Sequence, residues 1–470
     1  MSSGAGKTSI QLFVIHLVAR VVGFLGLAAF TKLLPQDQLG VYFLFYLVVQ
    51  VAALFSSFGM GQALVRRISE GKRADAILSA ALALVALVGG GLALAFYLLR
   101  DPIGSYVGAE VPLLLTLASV SWLLADILMS ALRGEDKILL AGGLQLFQDV
   151  VRVGAGVGFL LLGTGPEGLM YGVIAGFVAT VAVAGVATER SLARPVREDF
   201  SRLFSISRYT MFFGPTNFVY FWLDTFMIGL ILTRGDVSAY EVAWQTTRVL
   251  IIATSAINQT LFPKVSQWAS SGRLDEVERV IPGAIIFTLF FPLPGLVGLT
   301  LLGEEILGLV YQPAYAVAAI PMAILAGYMV VEALQRVANG VLTGMDRADI
   351  PFRARLVGVT LAVVLNVTLI PRYGLVGAAV ATLTAKFVDT VMQWYGIGDL
   401  LTVRLPKRAL SWEVVSAGVM GAVVVGITRV LAVDSLLPLF FAVGVGAAVY
   451  GLTVLYDDDI RQVVRQYVPV

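Results

Sequence analysis

Five basic residues fall inside apolar stretches long enough to cross a membrane: Arg20, Arg152, Arg248, Arg336 and Lys386. A charge at mid-bilayer costs at least about 2.5 kcal/mol on insertion scales, so such side chains face a watery cavity or a partner. Six acids share those stretches: Asp126, Asp149, Asp224, Glu241, Glu332 and Asp389. Asp149 with Arg152, Glu332 with Arg336, and Lys386 with Asp389 each share a helix face at a spacing of three or four. Each of these reads equally as a self-satisfied ion pair. Arg20 and Arg248 have no acid three or four positions away, and His16 stands one turn before Arg20 on the same face. These two arginines are the first candidates for holding a mobile anion. Pairing across helices, with Asp224 or Asp126, is the competing use. Asp224, in Phe221-Trp222-Leu223-Asp224-Thr225-Phe226, is also a candidate coupling carboxylate, since burial raises an Asp pKa and lets it exchange protons. A hydrogen-bonded structural Asp is the plainer reading.

The elements that position these groups follow from composition. Of 470 residues 58% are hydrophobic and 14% charged, against about 25% charged in an ordinary soluble domain. A soluble chain this long needs several charged surfaces, and the residues for them are missing. That excludes a soluble enzyme, and disorder as well, which needs low hydrophobicity. The net charge of +2 leaves no basic footprint for nucleic acid. With no Cys and one His, disulfides, thiolate nucleophiles and His-rich metal sites are excluded. Gly4-Ala5-Gly6-Lys7-Thr8-Ser9 has the look of a phosphate loop, but it lacks the leading Gly and a preceding strand, and reads as a polar N-terminus. The apolar run at 10–34 is too long for a cleaved signal peptide.

The expected class is an all-α membrane protein with about fourteen transmembrane helices. The spans are 10–33, 39–64, 76–99, 111–132, 138–162, 168–188, 209–232, 238–262, 280–302, 315–343, 354–370, 374–395, 411–429 and 435–456. This count sorts 23 basic loop residues to one side and 5 to the other, which puts both termini in the cytoplasm by the positive-inside rule. The connection 189–208 carries Phe200, Leu203, Phe204 and Ser207 at helical spacing among arginines, the pattern of a linker helix on the inner surface or of a plain basic connection. Pro215, Pro292, Pro294 and Pro321 should kink their spans, and Gly89-Gly90-Gly91 is a soft point. Gly154/Gly158, Gly172/Gly176 and Gly340/Gly344 are small-residue contacts for close helix packing.

The halves resemble each other. Leu34–Tyr42 matches Leu232–Tyr240 at offset 198, Leu132–Lys137 matches Leu342–Arg347 at offset 210, and Gly168-Leu169 matches Gly374-Leu375 at offset 206. Six helices per repeat make the repeats parallel, with a cavity between two lobes. The division is an N-lobe at 1–188, a linker at 189–208, a C-lobe at 209–395, and two extra helices with a tail at 396–470.

Two stretches carry a family resemblance. Thr31-Lys32-Leu33-Leu34-Pro35 with Leu39-Gly40-Val41-Tyr42 and Gly59-Met60-Gly61-Gln62-Ala63-Leu64-Val65-Arg66 resembles the start of polysaccharide flippases. Asn366, then Leu369-Ile370-Pro371-Arg372-Tyr373-Gly374-Leu375-Val376-Gly377-Ala378-Ala379-Val380-Ala381-Thr382, resembles the multidrug/oligosaccharidyl-lipid/polysaccharide exporter superfamily. The first motif leans to its O-antigen-type branch, and the resemblance covers essentially the whole chain.

It implies a flippase, not an enzyme, that moves a polyprenyl-(pyro)phosphate-linked oligosaccharide to the outer leaflet by alternating access. The setting is a prokaryotic plasma membrane and the product a surface polysaccharide or glycoprotein. Arg matches phosphate oxygens with planar, permanently charged donors. Arg20, Arg248, Arg152, Arg336, Lys386 and His16 are then headgroup-binding candidates, and Asp224, Asp126, Glu332 and Asp389 ion-coupling candidates. The resemblance implies no cofactor beyond H+ or Na+ as a coupling ion, and facilitated flipping is equally open. Its partners would be the lipid-linked glycan, the bilayer, and glycan polymerase or oligosaccharyltransferase machinery, with the chain a monomer. A multidrug or metabolite antiporter would line its cavity with acids, against five cations here. A peptidoglycan-precursor flippase stays open. A membrane-embedded polymerase wants a large outer loop with paired carboxylates, and Glu304-Glu305 is the only adjacent acidic pair in the outer loops.

Overall fold

The computed structural model describes the backbone of residues 2–57, 59–210 and 213–467, and their side chains apart from 2–10, 13, 57, 206–220, 252–260 and 465–467. Pro215, Ser207 and the side chains of Gly4–Ser9 therefore lie outside the described residues. The chain forms two compact units, Met1–Ser238 and Ala239–Val470.

The first unit holds α1 (Ser2–Leu33), α2 (Gln36–Ser57), α3 (Met60–Ser69), α4 (Ala74–Leu98), α5 (Arg100–Val107), α6 (Pro112–Gly134), α7 (Ile138–Leu161), α8 (Pro166–Ala187), α9 (Arg197–Thr210) and α10 (Phe213–Ile231). Helix α11 (Arg234–Thr247) runs on into the second unit. There a 3₁₀ turn (Arg248–Ile251) leads to α12 (Ile252–Ser270), α13 (Leu274–Leu289), α14 (Pro292–Leu301) and α15 (Gly303–Glu305). A π segment (Ile306–Tyr311) and a 3₁₀ segment (Pro313–Ala318) precede α16 (Ala319–Gly344), α17 (Asp349–Gly398), α18 (Lys407–Val430), α19 (Leu436–Val454) and α20 (Asp458–Tyr467).

This is an all-α membrane protein. Among the described residues, 11 helices are long and apolar enough to cross a bilayer. Their outward faces are apolar, with Leu87, Leu94, Leu98, Leu162, Val186, Leu437 and Leu452 all exposed. Helix α17, 50 residues long, breaks at Gly374 (φ 56°, ψ −134°) and so makes the two passes expected at 354–370 and 374–395. The expected seventh and eighth spans correspond to α10 and to α11 with α12, parts of which lie outside the described side chains.

The internal repeat has a structural signature. Asp136 and Asp346 both take a left-handed conformation, at φ 64° and 62°. Lys137 N donates to Leu132 O and Arg347 N to Leu342 O, both at 2.9 Å, so the two helix ends close alike. The third match needs a new register. The conformational equivalent of Gly374 is Gly165 (φ 62°, ψ −153°), not Gly168. Both glycines occupy backbone space essentially closed to other residues, and each opens a helix. Gly168 then pairs with Gly377, where a Cβ would meet Thr164 Oγ1 and Leu369 O, each at 2.3 Å.

Other expectations fare differently. Helix α4 runs unbroken through Gly89-Gly90-Gly91, and Gly89 packs against Val120 of α6. Pro292 and Pro294 lie in the first turn of α14, after a break at Phe290–Phe291, and Pro321 lies in the first turn of α16, where proline costs no hydrogen bond. A Cβ on Gly154 or Gly158 would meet nothing within 4 Å, so neither is a packing contact. Gly156 takes that role against Leu169 and Phe30. In the linker, α9 starts at Arg197. Its buried Leu203 and part-buried Phe200 pack on the core of α3 and α4, with Phe204 exposed. Arg73 grips Asp199 through two 2.9 Å bonds.

Candidate functional site

In the first unit the site is built around one turn of α7. Glycines bring neighbouring backbones onto that turn. A Cβ on Gly172 of α8 would sit 2.7 Å from Arg152 O, and one on Gly176 would sit 3.1 Å from Arg152 Cβ. From another side, Gly26 of α1 admits Val153. The helix carrying Arg152 is thus held between α1 and α8, at backbone contact on the α8 side.

The Arg152 guanidinium is held as well. Its Nη2 lies 3.2 Å from Asp149 Oδ1, and both side chains are 22% exposed. Its Nη1 donates to Tyr42 Oη at 3.3 Å. Among the described residues these contacts use two of the five guanidinium N–H groups. The remaining donors of a part-buried, fixed cation suit a phosphate-like anion.

The surroundings are aromatic. Tyr42 stacks on Tyr46 with centroids 6.3 Å apart, and Tyr46 lies 5.9 Å from Trp222 of α10. Phe30 of α1 meets Tyr42 edge-on at 6.2 Å. Tyr42, Tyr46 and Gln50 follow one another at i, i+4 and i+8, so they form one stripe along α2. Gln50 Oε1 is buried and has no hydrogen-bond partner among the described residues. An arginine at one end of a Tyr-Tyr-Gln stripe can hold an anion while ring faces and an amide meet sugar rings. Tyr42, Tyr46, Trp222 and Gln50 were not singled out by charge; the four-residue spacing on α2 is the signal that marks three of them.

In the second unit α16 and α17 enclose a charge network. Lys386, 4% exposed, pairs closely with Glu332 across the helix contact. Glu332 Oε1 accepts from Arg336 Nε at 2.8 Å. Lys386 Nζ donates to Gln335 Oε1 at 3.1 Å, and Gln335 Nε2 donates to Asp389 Oδ2 at 2.8 Å. Gln393 Nε2 donates to the other Asp389 oxygen at 2.8 Å. The expected Glu332–Arg336 pair is therefore formed. Lys386 takes Glu332 as a partner, and Asp389 is held by the two glutamines, neither of which charge counting could find. Two acids here balance two cations. Arg336, 29% exposed, is its most open cation. Lys386 also lies 5.4 Å from the Tyr328 ring centroid, and Tyr328 packs on Trp244.

The remaining sequence candidates are spread out. Arg20 and His16 lie on an exposed face of α1. Arg248, part-buried, is the first residue of the 3₁₀ turn that interrupts α11 and α12, a geometry that often marks a hinge. Asp224 is buried on α10 at 8% exposure. Asp126, on α6, stands with Ser130 against Gly61 of α3. Among the described residues no cluster of three or more His, Cys, Asp or Glu could hold a metal ion.

Comparison with known proteins brings out likenesses over most of the chain. The sequence profile of the polysaccharide biosynthesis protein family matches residues 29–320. The chain is 30% identical over 458 residues to the probable low-salt glycan biosynthesis flippase Agl15 of Haloferax volcanii, covering 97% of each. It is 26% identical over 345 residues to the probable flippase AglR of the same organism, covering 72% of each. The fold matches that of the lipid II flippase MurJ in an inward closed conformation, at a TM-score of 0.77 and 16% identity, covering 97% of this chain and 100% of that one.

Proposed function

This chain belongs to the polysaccharide biosynthesis protein family, and from that premise we propose that it is a flippase for a lipid-linked oligosaccharide. The observation that carries the reading is the likeness, over 97% of both chains, to a protein named as a glycan biosynthesis flippase. The substrate is a polyprenyl-(pyro)phosphate-linked glycan, moved from the cytoplasmic to the outer leaflet by alternating access. The chain acts as a monomer in a prokaryotic plasma membrane, with both termini in the cytoplasm. It hands its cargo to a glycan polymerase or oligosaccharyltransferase. No covalent bond is made or broken, so the work is done by binding and release.

Arg152 and the Tyr42-Tyr46-Gln50 stripe with Trp222 are the first-choice headgroup and sugar contacts, because they join a fixed cation to ring faces. Arg336, Arg20, His16 and Arg248 are secondary candidates. Lys386 serves mainly to hold α16 to α17. Of the coupling carboxylates, Glu332 and Asp389 are engaged in that network, and Asp126 stands at the α3 contact. Asp224 is then the carboxyl to test for H+ or Na+ coupling.

Deleting the gene tests the reading. Lipid-linked oligosaccharide should accumulate on the inner leaflet while surface glycan falls, and the wild-type gene should restore both. Normal glycan with altered resistance to cationic drugs would instead favour the antiporter.

A further inference from the structure

Helices α18 and α19 lie outside the internal repeat, and the charge network described above does not reach them. Their contact nevertheless buries a carboxyl group. Glu413 is 0% exposed, and neither of its oxygens has a hydrogen-bond partner among the described residues. Ser416, one turn on along the same face, is 1% exposed, and its hydroxyl is likewise without a partner there. Tyr450 of α19 is 4% exposed with its hydroxyl in the same condition. Trp412 Nε1 of α18 donates to Thr453 O at 3.0 Å and Gly446 of α19 packs on Met420, so the two helices run antiparallel with Tyr450 level with Ser416. Three buried oxygen-bearing side chains thus lie along one α18–α19 contact, beside an apolar core that includes Ile286, Ala417, Met420 and Val454, with the Phe290 ring edge-on to Tyr450 at 5.5 Å.

Each group alone is a weak signal, but together they constrain the chemistry. A bare carboxylate is not kept in an apolar core without donors, since its desolvation is far too costly. The charged groups of the packed elements lie near their ends. Lys407 and Arg408 open α18, Arg429 closes it, and Arg408 reaches Asp457 at 3.6 Å. Asp458 and Asp459 open α20, where Arg461 pairs with Asp458 at 3.0 Å; the charges of α13 fall in its first two turns, α14 has none, and α19 offers only Tyr450. A single negative charge ringed by hydroxyls and apolar groups is balanced by one positive charge. A divalent ion would leave an excess.

We propose that Glu413, Ser416 and Tyr450 form a buried binding site for one monovalent cation, a proton or Na+. With a proton, the Glu413 carboxyl is neutral, which removes the cost of burying its charge. With Na+, the carboxylate and the two hydroxyl oxygens are ligands. The site would give the C-terminal helix pair its own ion dependence, whatever the transported cargo.

Infrared spectroscopy and radioactive-sodium binding on the full-length purified protein separate the two sources. A neutral-carboxyl carbonyl band in Na+-free buffer near neutral pH, absent from Glu413→Gln and unmoved by NaCl, assigns the proton. Saturable Na+ binding lost in Glu413→Gln, with the band disappearing as Na+ is added, assigns Na+. Should Glu413→Gln not fold, Tyr450→Phe and Ser416→Ala carry the test. Each should shift the band, as a changed polarity beside the carboxyl would, or weaken Na+ binding about fivefold, as loss of one ligand would. Neither a Glu413-dependent band nor Glu413-dependent Na+ binding in folded protein overturns the site. So do unchanged band and Na+ binding in both hydroxyl variants.

Discussion

The Arg152 guanidinium lies 3.3 Å from the Tyr42 hydroxyl, although 110 residues separate them in sequence. This joins a part-buried, fixed cation to an aromatic stripe. If Arg152 meets the phosphate of the cargo, Arg152→Ala should weaken binding of a short-chain prenyl-pyrophosphate sugar by about 10- to 100-fold, the worth of a charge-assisted hydrogen bond. Arg152→Lys should recover only part of it, since an ammonium cannot bind bidentately. Tyr42→Phe should cost only a few-fold. Titration calorimetry in detergent would check the order, and equal affinities for all variants would remove Arg152 from the site.

Gly172 meets the backbone at Arg152, so bulk there should loosen the turn. Gly172→Val should lower stability by about 1–3 kcal/mol, as overpacking does elsewhere. Gly154→Ala, where a Cβ meets nothing within 4 Å, should be close to neutral. Thermal unfolding of detergent-solubilised protein distinguishes them. A neutral Gly172→Val would contradict the α7–α8 contact.

Gly165 and Gly374 share an unusual backbone conformation at matched places in the repeat. Substitution to Ala at either should cost about 1–3 kcal/mol through backbone strain. Similar losses in the unfolding midpoint at both positions would support the shifted register. A loss at Gly168 and none at Gly165 would restore the register read from sequence.

Lys386 and Glu332 are both sheltered from solvent, so removing one partner leaves a buried charge. Lys386→Met alone should cost about 3–5 kcal/mol, whereas Lys386→Met with Glu332→Gln should recover a large share. A double-mutant cycle on unfolding measures the coupling. Additive losses would mean that the two act separately.

The Arg73 guanidinium hydrogen-bonded to Asp199 holds that carboxyl below its ordinary value. A lowered folded-state pKa means that the stabilisation is complete above the ordinary Asp value, about 3.9, and is lost as pH falls through the lower folded one. The unfolding midpoint of wild type should therefore exceed that of Arg73→Ala at pH 6, and the gap should close at acid pH below about 4. A constant gap would show that Arg73 acts by packing alone.

How much of this could be read without coordinates depends on range. The break at Gly374 follows from local chemistry, as Pro371 and Gly374 end one apolar run and open another, and the break stands where the motif puts it. The Glu332–Arg336 pair is equally local, one turn of one helix. The partner choice of Lys386 is not, because it turns on the α16–α17 contact and on two glutamines with no charge to draw notice. Tyr42 reaches Arg152 only because α2 and α7 fold together. Register failed by three residues before α8, where Gly165 and Gly168 are both plausible helix openers and only the dihedral angles separate them. Glu413 stands in the second turn of α18, where an acid reads as interfacial, and its burial comes from helices that pack on α18 from elsewhere in the chain.

Transport itself tests the account most directly. Purified protein in liposomes, loaded with a fluorescent polyprenyl-pyrophosphate oligosaccharide, should bring the glycan from one leaflet to the other, as read by a membrane-impermeant glycan-cleaving enzyme. Glycan movement should run well above that of protein-free vesicles, with cationic dyes left in place. Movement of dyes while the glycan stays at the protein-free rate would contradict it.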